Sequence, residues 1–227
     1  MRVFSPQKSI ASINSSLTRD ELLRRSRILV IDDERPEIVD DLKRAHFAVD
    51  YEPDIDATKI DLIDKRIYDL ILLDFGNVGR AFGSDEGLSL LRHIKRVNPA
   101  VVVISYTSKA LGASQADFYR LCDAVLPKDA GISESLEKIE LELRRAHSIT
   151  NVWSGLLTVC GVPAGSADDK RLQNLLVRGL NRPPKLEALK QSVMKMLTSE
   201  EMQKTGAILL AKVIELAVRS VTGLPNG

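Results

Sequence analysis

The chain has 227 residues, 44% hydrophobic and 28% charged, with a net charge of +1. That length accommodates one domain of ordinary size plus a smaller one, and the composition is that of a globular protein able to bury a core. The near-neutral balance gives no general steering toward nucleic acid or membrane, and no apolar run reaches the roughly 18 residues of a membrane span. Charge is nevertheless uneven: residues 1–147 carry 22 Lys and Arg against 25 Asp and Glu, and residues 148–227 carry 10 against 6.

Residues 1–26 read as an N-terminal arm, serine-rich at its start, without the apolar core of a secretion signal. A lead-in helix is expected over 17–25, with Thr18 and Glu21 in capping positions. Arg27–Ile31 is an apolar run that ends in Asp32-Asp33-Glu34. Pro36 suits the first turn of a helix with Ile38, Leu42 and Ala45 at helical spacing. Phe47–Tyr51 predicts a short strand and Ile55–Ile67 a helix. Tyr68–Asp74 holds the unbroken apolar run Leu70–Leu73 and stops at a carboxylate. A glycine-bearing connection from Gly76 to Gly83 follows and is expected to be mobile, then a helix with Leu88, Leu91 and Ile94 on one face. Asn98-Pro99 ends that helix. Ala100–Ser105 predicts a strand, 114–121 a helix, Ala124–Leu126 a strand and Ser133–His147 a charged helix.

Apolar runs without polar alternation suit strands covered on both faces, and strands alternating with helices imply parallel neighbours joined by crossovers. The fold class expected is therefore α/β, a doubly wound five-stranded parallel sheet, followed by a smaller all-α domain. Domain boundaries fall at 1–26, 27–147 and 148–227. In the last segment, helices are expected over 151–160, 168–180, 185–197 and 199–221. The final one carries a wide apolar stripe through Ala207, Leu210, Ile214, Ala217 and Val221, which packs within its own domain or against a second copy. Trp153 is expected to anchor the two parts to one another. Cys122 and Cys160 lack metal-ligand spacing and read as reduced core thiols of a cytoplasmic protein.

Ligands of doubly wound sheets gather outside the carboxyl ends of the strands. Three of those ends present Asp32-Asp33, Asp74 and Ser105, and the fifth ends in Pro127-Lys128. Clustered carboxylates repel one another unless a cation neutralises them, and oxygen-only ligands select a hard ion such as Mg²⁺. A hydroxyl and an ammonium nearby would cradle a phosphoryl group, an arrangement suited to phosphoryl transfer onto a carboxylate.

In these residues, residues 27–147 resemble the flavodoxin-like receiver domain of bacterial two-component response regulators. The resemblance implies Asp74 as phosphoacceptor, Asp32 and Asp33 as Mg²⁺ ligands together with Asp74, and the Gly76 backbone carbonyl as a further ligand. It implies Ser105 and Lys128 as partners of the phosphoryl group, and a sensor histidine kinase or phosphotransfer protein as donor. The chain departs from the family in having Tyr106 after Ser105, where its ring would cover the acid cluster. It also has the order Pro127-Lys128-Asp129, Val125 in place of a switching aromatic, and a long connection from Asp74 to Gly87. The reading that follows is a phosphorylation-controlled regulator whose helical domain binds an unidentified protein or forms a homodimer. The sequence leaves open a DNA-binding transcriptional regulator and a non-phosphorylated pseudo-receiver adaptor.

Overall fold

The computed structural model describes residues 9–13, 17–56, 58–108 and 116–222. The chain divides into two compact units, one formed by residues 17–146 and the other by residues 147–227 together with residues 1–16.

The first unit is a parallel sheet of β1 (Arg27–Ile31), β2 (Ala48–Glu52), β3 (Leu70–Leu73), β4 (Val102–Thr107) and β5 (Ala124–Pro127), in the order β2-β1-β3-β4-β5. Strand side chains alternate between its faces. Ile28, Val30, Leu70, Leu72, Ile104 and Tyr106 pack with α1 (Arg19–Arg25), α2 (Ile38–Arg44) and α6 (Ile132–Ala146). Leu29, Ile31, Ile71, Leu73 and Val103 pack with α3 (Ile60–Asp64), α4 (Gly87–Val97) and α5 (Ala116–Leu121). Both faces are thus covered, which is why the strands carry no polar alternation. The order reverses between β1 and β3, so the chain leaving these two neighbours diverges and opens a crevice at their carboxyl ends.

Several boundaries differ from expectation. The helix expected over 55–67 is reduced to α3, because Asp56 Oδ1 accepts from the backbone N–H groups of Thr58 and Lys59 at 2.8 and 3.2 Å and holds a turn ahead of it. Of residues 1–26, expected as an N-terminal arm, those described fall in two places. Thr18 and Glu21 form the expected capping box of α1, which buries Leu22 in the α/β core. Residues 9–13 belong to the helical unit, where Ile10 and Ile13 are buried and the Ile10 N–H donates to Gln173 Oε1 at 3.2 Å.

The helical unit contains α7 (Ile149–Cys160), α8 (Ala167–Gly179), α9 (Pro183–Met196) and α10 (Glu200–Thr222). Ser148, Ser166 and Ser199 accept at the starts of α7, α8 and α10, and Gly161 ends α7 in the left-handed conformation with φ 64°. Of the expected α10 stripe, Leu210 and Ala217 are buried, Ile214 and Val221 half-buried and Ala207 exposed, and the buried face is completed by Leu209, Val213 and Leu216 beside them. Trp153 works within this unit: its Nε1–H donates to Asp169 Oδ1 at 2.9 Å, tying α7 to α8. No helix among the described residues is long and apolar enough to cross a membrane.

Candidate functional site

The apolar runs of β1 and β3 end one residue before Asp32 and Asp74, and pairing of Ile31 with Leu73 sets those carboxylates side by side. Asp33 is next along the chain, and one oxygen from each of Asp32, Asp33 and Asp74 lies within 4.8 Å of the others. Asp32 is completely buried, Asp74 half-buried and Asp33 exposed. Asp32 Oδ1 accepts from the Glu34 N–H at 3.2 Å and Asp74 Oδ1 from the Phe75 N–H at 2.8 Å.

Lys128 follows β5 and crosses two strand ends to reach the cluster. Its Nζ lies 2.7 Å from Asp32 Oδ2 and 3.1 Å from Asp74 Oδ2, so one ammonium serves two carboxylates. Burial pushes the Asp32 carboxyl above its ordinary pKa, against the opposing attraction of Lys128. Burial also works against the Lys128 charge, but its two carboxylate partners outweigh that effect and raise the ammonium pKa.

The loop after Asp74 is wound in rather than loose. Val78 is fully buried, and the Gly79 N–H donates to Asp54 Oδ1 at 2.5 Å. Gly79 has φ 73°, and a Cβ there would meet Leu90 Cβ at 2.5 Å, so glycine is needed for both conformation and space. A Cβ on Gly87 would lie 2.7 Å from the Asp74 carbonyl oxygen, which shows how closely the start of α4 approaches the strand end. Gly76 sits in the bend between Phe75 and Asn77. Asn77, at φ 57°, donates from Nδ2 to Asp33 Oδ2 at 2.8 Å and accepts from Arg80 at 2.6 Å.

Two expectations change. Ser105 is not at the strand end: β4 continues through Tyr106 and Thr107, and Ser105 pairs with Leu73, one residue inward of Asp74. Its hydroxyl is fully buried and has no hydrogen-bond partner among the described residues. Thr107 is the terminal hydroxyl, and its carbonyl accepts from the Lys128 N–H at 3.1 Å. The expectation erred because the apolar run of β4 stops before its hydrogen bonding does. Tyr106, whose ring was expected to cover the acid cluster, is a buried residue. It is 6% exposed within the α/β core, and the Lys128 ammonium sits 5.8 Å from its ring centroid.

No family model and no curated protein matches the sequence. Among solved structures, the chain is similar to a CheY-like receiver domain protein from Methanospirillum hungatei JF-1, at 22% identity over 53% of this chain and 95% of that one, with TM-score 0.45. It is similar to the receiver domain of NtrX from Brucella abortus at 22% identity over 51% and 97%, with TM-score 0.44. It is also similar to the signal receiver domain of an HD domain-containing protein from Pseudomonas fluorescens Pf-5 at 20% identity over 55% and 90%, with TM-score 0.46. All three are receiver domains. Each match covers about half of this chain, and the doubly wound fold of that part rests on the strand order described above.

Proposed function

We propose that the protein is a response regulator that accepts a phosphoryl group on Asp74 in a Mg²⁺-dependent reaction. The observation carrying this reading is the single Lys128 ammonium bound to both Asp32 and Asp74 beside a third carboxylate. An Asp74 oxygen attacks the phosphorus of an acyl phosphate or phosphohistidine, the bond to the leaving group breaks, and an aspartyl phosphate forms. Lys128 is positioned to neutralise charge on the transferred group, and Thr107, rather than Ser105, is the hydroxyl at the correct level to donate to a phosphoryl oxygen. The donor set fits a hard cation: Asp32, Asp33 and Asp74 would hold Mg²⁺ with the Gly76 carbonyl, and the ion would supply charge neutralisation to the incoming phosphoryl.

The donor is a sensor kinase or phosphotransfer protein, and the helical unit carries the output. The test is incubation with acetyl phosphate, with and without Mg²⁺, followed by intact-mass measurement. One phosphoryl increment, absent in Asp74→Asn and slowed more by Thr107→Ala than by Ser105→Ala, is the expected result. Uptake unchanged in Asp74→Asn would overturn the assignment.

A second reading of the output rests on the charge of α8 and α9. Residues 170–195 hold seven Lys and Arg against the single acid Glu187. Lys204, Lys212 and Arg219 on α10 each pair with a glutamate of their own helix. By contrast, Arg171, Arg178, Arg182, Lys185 and Lys195 have no side-chain ion pair among the described residues. The only large hydrophobic residue exposed in the described part of this unit is Val218, so the apolar anchors of a protein-binding face are missing there. Unpaired cations without such anchors favour a phosphate backbone as the target. Salt-sensitive binding of duplex DNA, weakened in Arg178→Ala/Arg182→Ala, would support this output over association with a protein.

A further inference from the structure

Asn77 lies outside the carboxylate cluster, yet it is the only side chain hydrogen-bonded to Asp33 among the described residues. Its amide orientation is fixed by its other partner. Arginine can only donate, so the Asn77 carbonyl must face Arg80 and the NH₂ must face the carboxylate. One oxygen of Asp33 is thereby held, and the other keeps its lone pairs for a cation. The backbone beneath Asn77 is set by independent contacts: Val78 is buried, and Gly79 is bonded to Asp54 and closely approached by Leu90.

Resting on the cation site of the preceding section, we propose that Asn77 is the positioning residue of that site, with Arg80 behind it. The two orient the exposed Asp33 carboxylate toward the two carboxylates that Lys128 already holds. Asp32 and Asp74 are fixed by their strand ends and by the ammonium, whereas among the described residues Asp33 has no comparable restraint other than this amide. Hydrogen-bonding partners behind a metal ligand fix its direction, and removing them weakens affinity by roughly 10- to 100-fold. The lower end applies to an exposed ligand.

The left-handed backbone at Asn77 supplies a clean perturbation. Glycine adopts φ 57° without strain, so Asn77→Gly deletes the amide while leaving the turn's conformation accessible. Mg²⁺ titration calorimetry on the full chain is expected to show binding by the unmodified protein and about tenfold weaker binding by Asn77→Gly. Arg80→Ala, which leaves the amide in place but frees its orientation, should fall between them. Melting temperatures in chelator should be the same for all three proteins, separating a directional effect on the ligand from loss of folding. Equal or tighter Mg²⁺ binding by Asn77→Gly would overturn the positioning role while leaving the cation site intact. Absence of Mg²⁺ binding by the unmodified protein would overturn the cation site itself, and the positioning role with it.

Discussion

Replacing Lys128 with methionine keeps most of the apolar stem and removes the ammonium that Asp32 and Asp74 share. Asp32 is wholly buried, so the substitution leaves it beside a second carboxylate with no countercharge. Breaking a buried pair by deleting one partner costs about 3–5 kcal/mol. Here 23% of the Lys128 side chain and 13% of that of Asp74 are exposed, and solvent screening reduces the expectation to about 2–3 kcal/mol at neutral pH. The loss should shrink on acidification, because the Asp32 carboxyl, already raised by burial, then takes up a proton and no longer needs a partner. In the unmodified protein the sign is opposite at the alkaline end. Lys128 has a raised pKa, so its contribution is fully present below the ordinary lysine value and is lost as pH rises through the folded value. Hydrogen exchange at the β1 and β3 amides measures this without interference from the helical unit. A Lys128→Met protein that is as stable as the parent at neutral pH, or whose loss is undiminished in acid, would refute the role given to the ammonium.

Tyr106→Ala should destabilise the α/β unit by about 3–5 kcal/mol, as for other large aromatic truncations in a core, and should not accelerate labelling by acetyl phosphate. Urea unfolding and initial labelling rates check both statements, and faster labelling of a stably folded variant would restore the ring as a cover over the acid cluster. In the helical unit, burial opposes ionisation of Asp169, but donors from Gln173, Gly165 and Trp153 outweigh it and lower its pKa. Its contribution is present above the ordinary carboxylate value and lost as pH falls through the folded one. Trp153 fluorescence should therefore report acid loosening of the helical unit, absent in Asp169→Asn.

The sheet was legible because covering both faces forces apolar runs such as Leu70–Leu73, and the carboxylates were legible because those runs stop abruptly at Asp32 and Asp74. Lys128 could be placed for the same reason. Ser105 was expected at the end of its strand, but β4 runs two residues further, because hydropathy cannot see hydrogen bonding that continues past an apolar run. Asn77 gave no signal because its role depends on a left-handed backbone and on a partner 44 residues away in sequence. The docking of Ile10 on the helical unit was hidden for a similar reason, its hydrogen-bond partner Gln173 being 163 residues distant. Trp153 was expected to join the two parts of the chain, whereas its bond to Asp169, 16 residues on within the helical unit, was not foreseen.

The central claim is that Asp74 carries the phosphoryl group, and an aspartyl phosphate has a chemical signature that serine, threonine and histidine phosphates lack. Borohydride reduction of protein treated with acetyl phosphate and Mg²⁺, followed by peptide mass spectrometry, should convert Asp74 alone to homoserine. Homoserine at Asp32 or Asp33 instead, or a borohydride-resistant phosphoryl group on a hydroxyl, would contradict the account.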